Sequence, residues 1–376
     1  MRVLFSGGGT AGHINPALAA AGYLKAKHPD AEILFVGNEG GMEERLVPPA
    51  GYDIKTIHIS GFQRKITPKN IVRNISTMNK LITSTLESKK IIKEFKPDVC
   101  VGTGGYVCGP VLREAAKLGV PCVVHESNAY PGVTVKMLAK SVKCVMICVE
   151  DAKKHLPEGT NVVVTGNPVR PEILAANKEE ARKKLGLDKR PVVLSFGGSL
   201  GARALNEAMI TVFKDSADKG TIQHIHGYGT RNTEYPEVLK AAGYDMDAHP
   251  QIRILEYINN MADCLAAADV VISRSGAITL TEIEAMGKGS ILIPSPNVAE
   301  NHQYHNAMAL VNRGAAEIIE EKDLTGEKLL ESLNKILADP ESIERYGKNA
   351  KEMSIPDANE RIYQEIMKAA GLEPVE

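Results

Sequence analysis

The chain has 376 residues, with 45 Lys+Arg against 46 Asp+Glu and a net charge of -1. That balance excludes a broad nucleic-acid-coating surface, because there is no general excess of positive charge to release counterions from a phosphate backbone. At 43% hydrophobic and 24% charged the composition is that of a folded globular protein, and the length calls for two domains rather than one core.

The N-terminal run Met1-Arg2-Val3-Leu4-Phe5-Ser6 meets glycine too soon for a signal peptide. No apolar run reaches the roughly 18–20 residues of a membrane span. The longest, Val133–Val149, is broken by Lys136, Lys140 and Lys143. The six cysteines sit mostly in apolar runs and read as core residues of a reduced protein. The expectation is a soluble chain made in the cytoplasm.

Short β-branched runs alternate with helix-period segments throughout, the pattern of a parallel sheet covered by helices on both faces. The first half carries strands near Val3–Ser6, Glu32–Val36, Val99–Gly102, Cys122–His125, Cys144–Cys148 and Val162–Thr165. A polar helical stretch follows Thr165-Gly166-Asn167-Pro168, and strands resume near Pro191–Phe196, Ile222–His226, Ile252–Leu255, Val270–Ser273, Ile291–Pro294 and Ala316–Ile319. Six strands per half suffice for two doubly wound α/β sheets. The domains read as 1–165 and 166–356, with 357–376 crossing back to cap the first.

Both halves open with a strand, a glycine turn and a helix: Gly7-Gly8-Gly9-Thr10-Ala11-Gly12-His13, and Gly197-Gly198-Ser199-Leu200-Gly201-Ala202-Arg203. Glycine lets backbone approach a ligand, and the helix start offers unpaired N–H groups to phosphate. Gly7, Gly9 and Gly12 also fit G-x-G-x-x-G, but the acid of a dinucleotide oxidoreductase is not at the end of the second strand; Glu39 comes only after Asn38. That reading also leaves the second loop without a role.

Further clusters follow strand ends: Gly102-Thr103-Gly104-Gly105-Tyr106, then His125-Glu126-Ser127-Asn128, then Ser273-Arg274-Ser275-Gly276-Ala277-Ile278-Thr279 with Glu282 one turn on. In doubly wound sheets such ends face the ligand crevice. Gln303-Tyr304-His305-Asn306 gathers amides and imidazoles suited to sugar hydroxyls.

Taken in order along essentially the whole chain, these motifs, with Thr165–Arg170, resemble the MurG family of N-acetylglucosaminyltransferases. Ala11 stands where many members carry glycine, and Ser127 where many carry glutamine. The resemblance implies a GT-B architecture, two Rossmann-like domains facing across a cleft. It implies a UDP-N-acetylglucosamine donor and a lipid-linked diphospho-muramoyl-pentapeptide acceptor in peptidoglycan synthesis, with partners in cell-wall or division assemblies. By the same resemblance Ser199 and the Ala277, Ile278 and Thr279 backbone hold the donor diphosphate and Glu282 the ribose. Backbone at Ile258 meets uracil, and Gln303 and Asn306 read the sugar. Arg170 and Asn128 complete the donor site with the Thr10, Ala11 and Gly12 backbone beside them, and the turns at Gly8-Gly9 and Gly104-Gly105 receive the acceptor diphosphate.

Transfer with inversion needs a group to take the acceptor hydroxyl's proton. His13 is the first candidate base and Glu126 the second. The alternative for His13 is an orienting donor to the diphosphate. No cofactor and no metal is implied: helix-end amides assist UDP departure, and Asp245-Met246-Asp247 reads as surface.

Between Gly61 and Pro97 lie nine Lys/Arg (Arg64, Lys65, Lys69, Arg73, Lys80, Lys89, Lys90, Lys93, Lys96) against Glu87 and Glu94. Ile71, Ile75, Met78 and Ile82 recur at helical spacing and read first as a face packed on the protein's own sheet, while the basic excess suits reversible docking on the anionic cytoplasmic face of the membrane. Two further readings share the nucleotide sugar: a non-hydrolysing UDP-N-acetylglucosamine epimerase and a non-catalytic sensor.

Overall fold

The computed structural model describes residues 1–60 and 68–375, with side chains at all of these except 68–81 and 299. The chain forms two compact units, Met1–Pro168 with Asp357–Glu376, and Val169–Pro356.

Unit one holds seven strands among the described residues: β1 Arg2–Ser6, β2 Glu32–Asn38, β3 Asp53–Ile57, β4 Val99–Gly102, β5 Cys122–Glu126, β6 Cys144–Ile147 and β7 Val162–Val164. They run parallel in the order β3-β2-β1-β4-β5-β6-β7. Unit two holds β8 Val192–Phe196, β9 Gln223–Gly227, β10 Ile252–Leu255, β11 Val270–Ser273, β12 Gly289–Leu292 and β13 Ala316–Ile318. These are also parallel, in the order β10-β9-β8-β11-β12-β13. In each sheet the chain winds outward from its first strand and then returns to that strand's other side. The switch points are therefore β1/β4 and β8/β11, where such sheets bind ligands.

The central strands are buried on both faces, which is why they read as continuous apolar runs: Val3, Leu4 and Phe5, or Val192, Val193 and Leu194, have no exposed surface. In unit one the helix Ala11–Lys27 supplies Ile14, Ala17 and Leu24 to one face, and the helix Ala358–Ala370 adds Ile362, Tyr363, Ile366 and Met367 to the same core. The helix Cys108–Lys117 packs Val111 and Leu112 on the other face. In unit two the helix Arg203–Lys219 packs Leu205, Met209 and Phe213 against Val193 and Ile272, while the helix Ala277–Met286 covers Leu194 and Val271 with Leu280 and Ile283.

Two of the differences from the sequence expectation have a direct physical cause. Unit one has a seventh strand, β3, at the edge beside β2; its Asp53 and Lys55 are exposed, so the segment lacks the apolar run of a central strand. β12 starts at Gly289 rather than Ile291; that first residue is a glycine, which carries no strand signal, because Tyr346 packs where a side chain would be, a Cβ on Gly289 lying 2.7 Å from the Tyr346 Cβ.

Of the basic region, Arg64 and Lys65 lie outside the described residues, as do the side chains of Lys69, Ile71, Arg73, Ile75, Met78 and Lys80. In the helix Pro68–Phe95 the buried line is Ser84, Ser88 and Ile92, with the Ser88 hydroxyl donating to the Ser84 carbonyl at 2.6 Å. Ile82 falls on the opposite side and is 61% exposed, and Leu86 one turn on is 64% exposed. The expectation that Ile82 packs on the sheet is thus corrected. Lys89, Lys90 and Lys93 are exposed in the next turns.

Candidate active site

The loop after β1 turns through Gly9 into the helix Ala11–Lys27, whose first turn no side chain caps. The amides at Ala11 and Gly12 therefore point off an open helix start, the geometry that receives an anion. The turn after β4 interlocks with it: Gly8 N–H donates to the Gly104 carbonyl at 3.3 Å, and a Cβ on Gly105 would lie 2.1 Å from the Gly8 carbonyl oxygen. Backbone of this closeness admits only glycine at 105.

His13 stands between these two turns. Its Nδ1 lies 3.1 Å from the Gly8 carbonyl oxygen and 3.2 Å from the Thr10 hydroxyl. A carbonyl only accepts, so Nδ1 carries the proton and Nε2 presents its lone pair. Nε2 has no hydrogen-bond partner among the described residues and lies against Gly104, where an added Cβ would come within 3.2 Å of it. Burial lowers the His13 pKa from its ordinary value, opposed in part by the Gly8 hydrogen bond and the charge of Glu43. The imidazole is thus neutral near pH 7 and can accept a proton. The Thr103 hydroxyl, donating to the His13 carbonyl at 2.7 Å, fixes the helix start beneath it.

Glu126, at the end of β5, is buried and engaged on both oxygens. Oε1 accepts from the Asn128 N–H and side-chain amide at 2.9 Å each, and Oε2 accepts from Gly132 N–H at 2.8 Å. These bonds hold the loop that carries Asn128. His125 Nε2–H donates to the Gly166 carbonyl at 2.9 Å, since that group only accepts, and burial lowers the His125 pKa to about 4. Asn167 Nδ2 donates to the Ser127 carbonyl at 3.0 Å. The His125–Asn128 and Thr165–Pro168 motifs thus brace one another.

In unit two the loop Gly197–Gly201 leads to the helix Arg203–Lys219, again without a side-chain cap, and Ser199 is exposed at its tip. The turn after β9 grips this loop: Thr230 N–H and hydroxyl donate to the Ser199 carbonyl, and Asn232 Nδ2 to the Leu200 carbonyl at 3.0 Å. A Cβ on Gly201 would lie 2.0 Å from the Tyr228 carbonyl oxygen. After β11, Gly276 precedes the helix Ala277–Met286, leaving the amides of Ala277, Ile278 and Thr279 in a first turn that no side chain caps. The Ser275 hydroxyl donates to the Gln303 carbonyl at 2.7 Å and Asn306 Nδ2 to the Ser275 carbonyl at 3.3 Å. The Gln303 side-chain oxygen accepts from Ser295 N–H at 2.9 Å. Gln303 and Asn306 are therefore tied into the scaffold around the Ser275 turn.

Arg170 and Glu282 are brought together, Nε to Oε1 at 2.7 Å. The Ile258 side chain is buried in the core below β9, and Tyr257 beside it is half-exposed. Asp245 and Asp247 form an exposed turn ahead of the amino end of β10, away from the ligand edge. Two features escaped the sequence reading: the Tyr228–Asn232 turn, and Glu43, a buried acid whose Oε1 accepts from Gly9 N–H at 3.0 Å. The acid's only sequence signal is its place in the Gly40-Gly41-Met42-Glu43 turn after β2.

Two Rossmann-like units with glycine loops at both switch points are the GT-B fold of nucleotide-sugar enzymes. Residues 3–147 match the glycosyltransferase family 28 N-terminal domain and residues 192–362 its C-terminal domain, and the chain belongs to that family. It is 46% identical, over 99% of its length and 100% of the relative's, to the UDP-N-acetylglucosamine--N-acetylmuramyl-(pentapeptide) pyrophosphoryl-undecaprenol N-acetylglucosamine transferase of Acetivibrio thermocellus. Among solved structures it resembles Acinetobacter baumannii MurG, with a TM-score of 0.78 and 29% identity, covering 98% of this chain and 99% of that one. The Neisseria meningitidis UDP-GlcNAc 2-epimerase bound to UDP-GlcNAc shares the fold, with a TM-score of 0.65, at 14% identity over 98% of this chain and 100% of that one.

Proposed function

We infer that the chain is an inverting transferase. It moves N-acetylglucosamine from UDP-N-acetylglucosamine to the C4 hydroxyl of undecaprenyl-diphospho-N-acetylmuramoyl-pentapeptide, the lipid I to lipid II step of peptidoglycan synthesis. The observation that carries this is the 46% identity, end to end, to a transferase named for that reaction. The epimerase resemblance, at 14% identity, extends to the fold alone.

The acceptor oxygen bonds to the anomeric carbon as the bond from that carbon to UDP breaks on the opposite face. The hydroxyl proton passes to His13 Nε2, which supports this role by being neutral and open. Glu126, satisfied on both oxygens, holds the Asn128 loop instead of taking the proton. The acceptor diphosphate lies at the Thr10–Gly12 amides and the Gly104-Gly105 turn. UDP is held by Ser199, by the Ala277–Thr279 amides, by Glu282 at the ribose, and by Arg170, released from Glu282, at the phosphates. Helix-end amides stabilise the charge that develops on the departing diphosphate. Gln303 and Asn306 set the sugar-facing wall and the Ile258 backbone meets the uracil.

No described helix is long and apolar enough to cross a membrane. The protein docks on the cytoplasmic face of the membrane, a reading supported by Ile82 and Leu86 exposed beside Lys89, Lys90 and Lys93, each charge near an anionic surface being worth about 1 kcal/mol.

Incubating the purified chain with radiolabelled UDP-N-acetylglucosamine and a short-chain lipid-diphospho-muramoyl-pentapeptide tests the function. Label enters the lipid fraction with UDP released in equal amount. Donor binding without transfer, with an acceptor that a known transferase accepts, overturns it.

A further inference from the structure

A carboxylate under an anion-binding loop should weaken that loop, yet Glu43 is 1% exposed directly beneath Gly7-Gly8-Gly9. It is built in closely. A Cβ on Gly8 would lie 1.6 Å from Glu43 Oε1, and a Cβ on Gly41 would lie 2.3 Å from Oε2. Gly8 in the loop and Gly41 in the turn after β2 thus both make room for the acid. Oε1 accepts from Gly9 N–H at 3.0 Å, and Oε2 is buried with no hydrogen-bond partner.

Gly9 N–H and the Gly8 carbonyl are the two ends of one peptide group. The carbonyl end accepts from His13 Nδ1–H at 3.1 Å. We propose that Glu43 is a positioning residue that acts on His13 through the Gly8–Gly9 peptide, polarising it so that the carbonyl holds the Nδ1 proton and stabilises the imidazolium formed when Nε2 takes the acceptor's proton. The arrangement does the work of a carboxylate bonded directly to a histidine, with a peptide group placed between them. No proton reaches Glu43: it moves from the acceptor hydroxyl to Nε2 and later to water, while Nδ1 keeps its own.

The charged group facing His13 is Glu43; Tyr106, from the turn after β4, faces Glu43, and the Thr10 hydroxyl is the remaining polar group at Nδ1. Burial depresses the His13 pKa and Glu43 opposes that depression, as the relay requires. Tyr106 seals the far side of Gly9, where a Cβ would come within 2.8 Å of its ring, so the peptide has little room to turn away.

The proposal rests on His13 as the base, and its test separates the two. Imidazole titration by NMR on histidine-labelled full chain, with the His13 signal assigned by its loss in His13→Gln, reads the relay without turnover. Glu43→Gln keeps the size and an acceptor for Gly9 N–H but removes the charge. It lowers the His13 midpoint by about one unit, a tenfold loss of proton affinity. It also moves the acid limb of the kcat profile equally and lowers kcat roughly tenfold with donor Kd unchanged. Glu43→Asp, which keeps the charge but withdraws it from Gly9, lowers the midpoint by less. A midpoint equal to wild type in whichever of these variants folds overturns the relay, whatever the activity. A shifted midpoint alongside full turnover by His13→Gln upholds the relay and overturns the assignment of the base.

Discussion

The two glycine loops follow the same strand–turn–helix path and differ in what holds them. In unit one the Gly9 amide is committed to a buried acid, the neighbouring carbonyl to a histidine, and only the helix start is left open. In unit two the loop is gripped by neutral backbone and amide groups of the Tyr228–Asn232 turn, and Ser199 is exposed at its tip. An uncapped helix start receives anions in either case. On the proposed mechanism, the groups packed behind it decide whether it also moves a proton, as in unit one, or only steadies a leaving group, as in unit two.

The sharpest break in this comparison is His13→Gln. Turnover should fall about a thousandfold, within the usual range for general-base removal, while calorimetric UDP binding stays at the wild-type value. A variant that instead loses UDP binding would place His13 on the donor side. Glu282→Gln should do the reverse, raising the UDP Kd about tenfold by weakening a charged hydrogen bond while leaving the His13 NMR midpoint unmoved. Smaller again is the membrane contact. Ile82→Glu with Leu86→Glu should cut sedimentation with anionic vesicles several-fold and leave turnover on a short-chain, water-soluble acceptor intact.

Near neutrality the smallest effect concerns the cores. On β9, His224 Nε2 lies 2.8 Å from the Ser216 hydroxyl and His226 Nδ1 2.8 Å from the Ser195 hydroxyl, both fully buried, and burial pushes each pKa down to about 3. Unfolded, the same side chains titrate near 6.5. Between those values the unfolded chain binds more protons, so stability is complete above about pH 6.5 and falls on acidification by roughly 1.4 kcal/mol per pH unit for each histidine. Unit one has two histidines that burial depresses, His125, to about 4, and His13. In unit two burial also raises the Glu284 carboxyl to about 8, so over the same window that group gains stability on acidification and offsets about one histidine. Unit two should therefore lose no more stability between pH 7 and 5 than unit one, as amide exchange resolved by unit would show. A markedly larger loss in unit two would overturn this balance.

Much of this was legible in the sequence because central parallel strands are apolar on both faces and the glycine turns follow them directly. Edge strand β3 escaped because its exposed Asp53 and Lys55 interrupt the pattern. The candidate site was legible where function needs a local motif, as at Thr10–His13 or Gly276–Thr279. It was not legible where a residue acts through tertiary burial. Glu43 lies thirty residues beyond His13, and only the pairing of β2 with β1 carries it beneath the Gly8–Gly9 peptide. Gln303 and Asn306 matched a sugar-reading pattern, yet the scaffold bonds each of them makes depend on how the helix His302–Val311 meets the Ser275 turn.

The helix Ala358–Ala370 inserts Ile362, Tyr363, Ile366 and Met367 into the same core as Val3 and Phe5, so unit one is built from both ends of the sequence. During synthesis on the ribosome the first strands emerge long before the helix that completes their core, and the continuous unit Val169–Pro356 can close first. The N-terminal half then waits with one face of its sheet covered only in part, by the helix Ala11–Lys27, a window of exposed apolar surface in the part of the chain that is translated first.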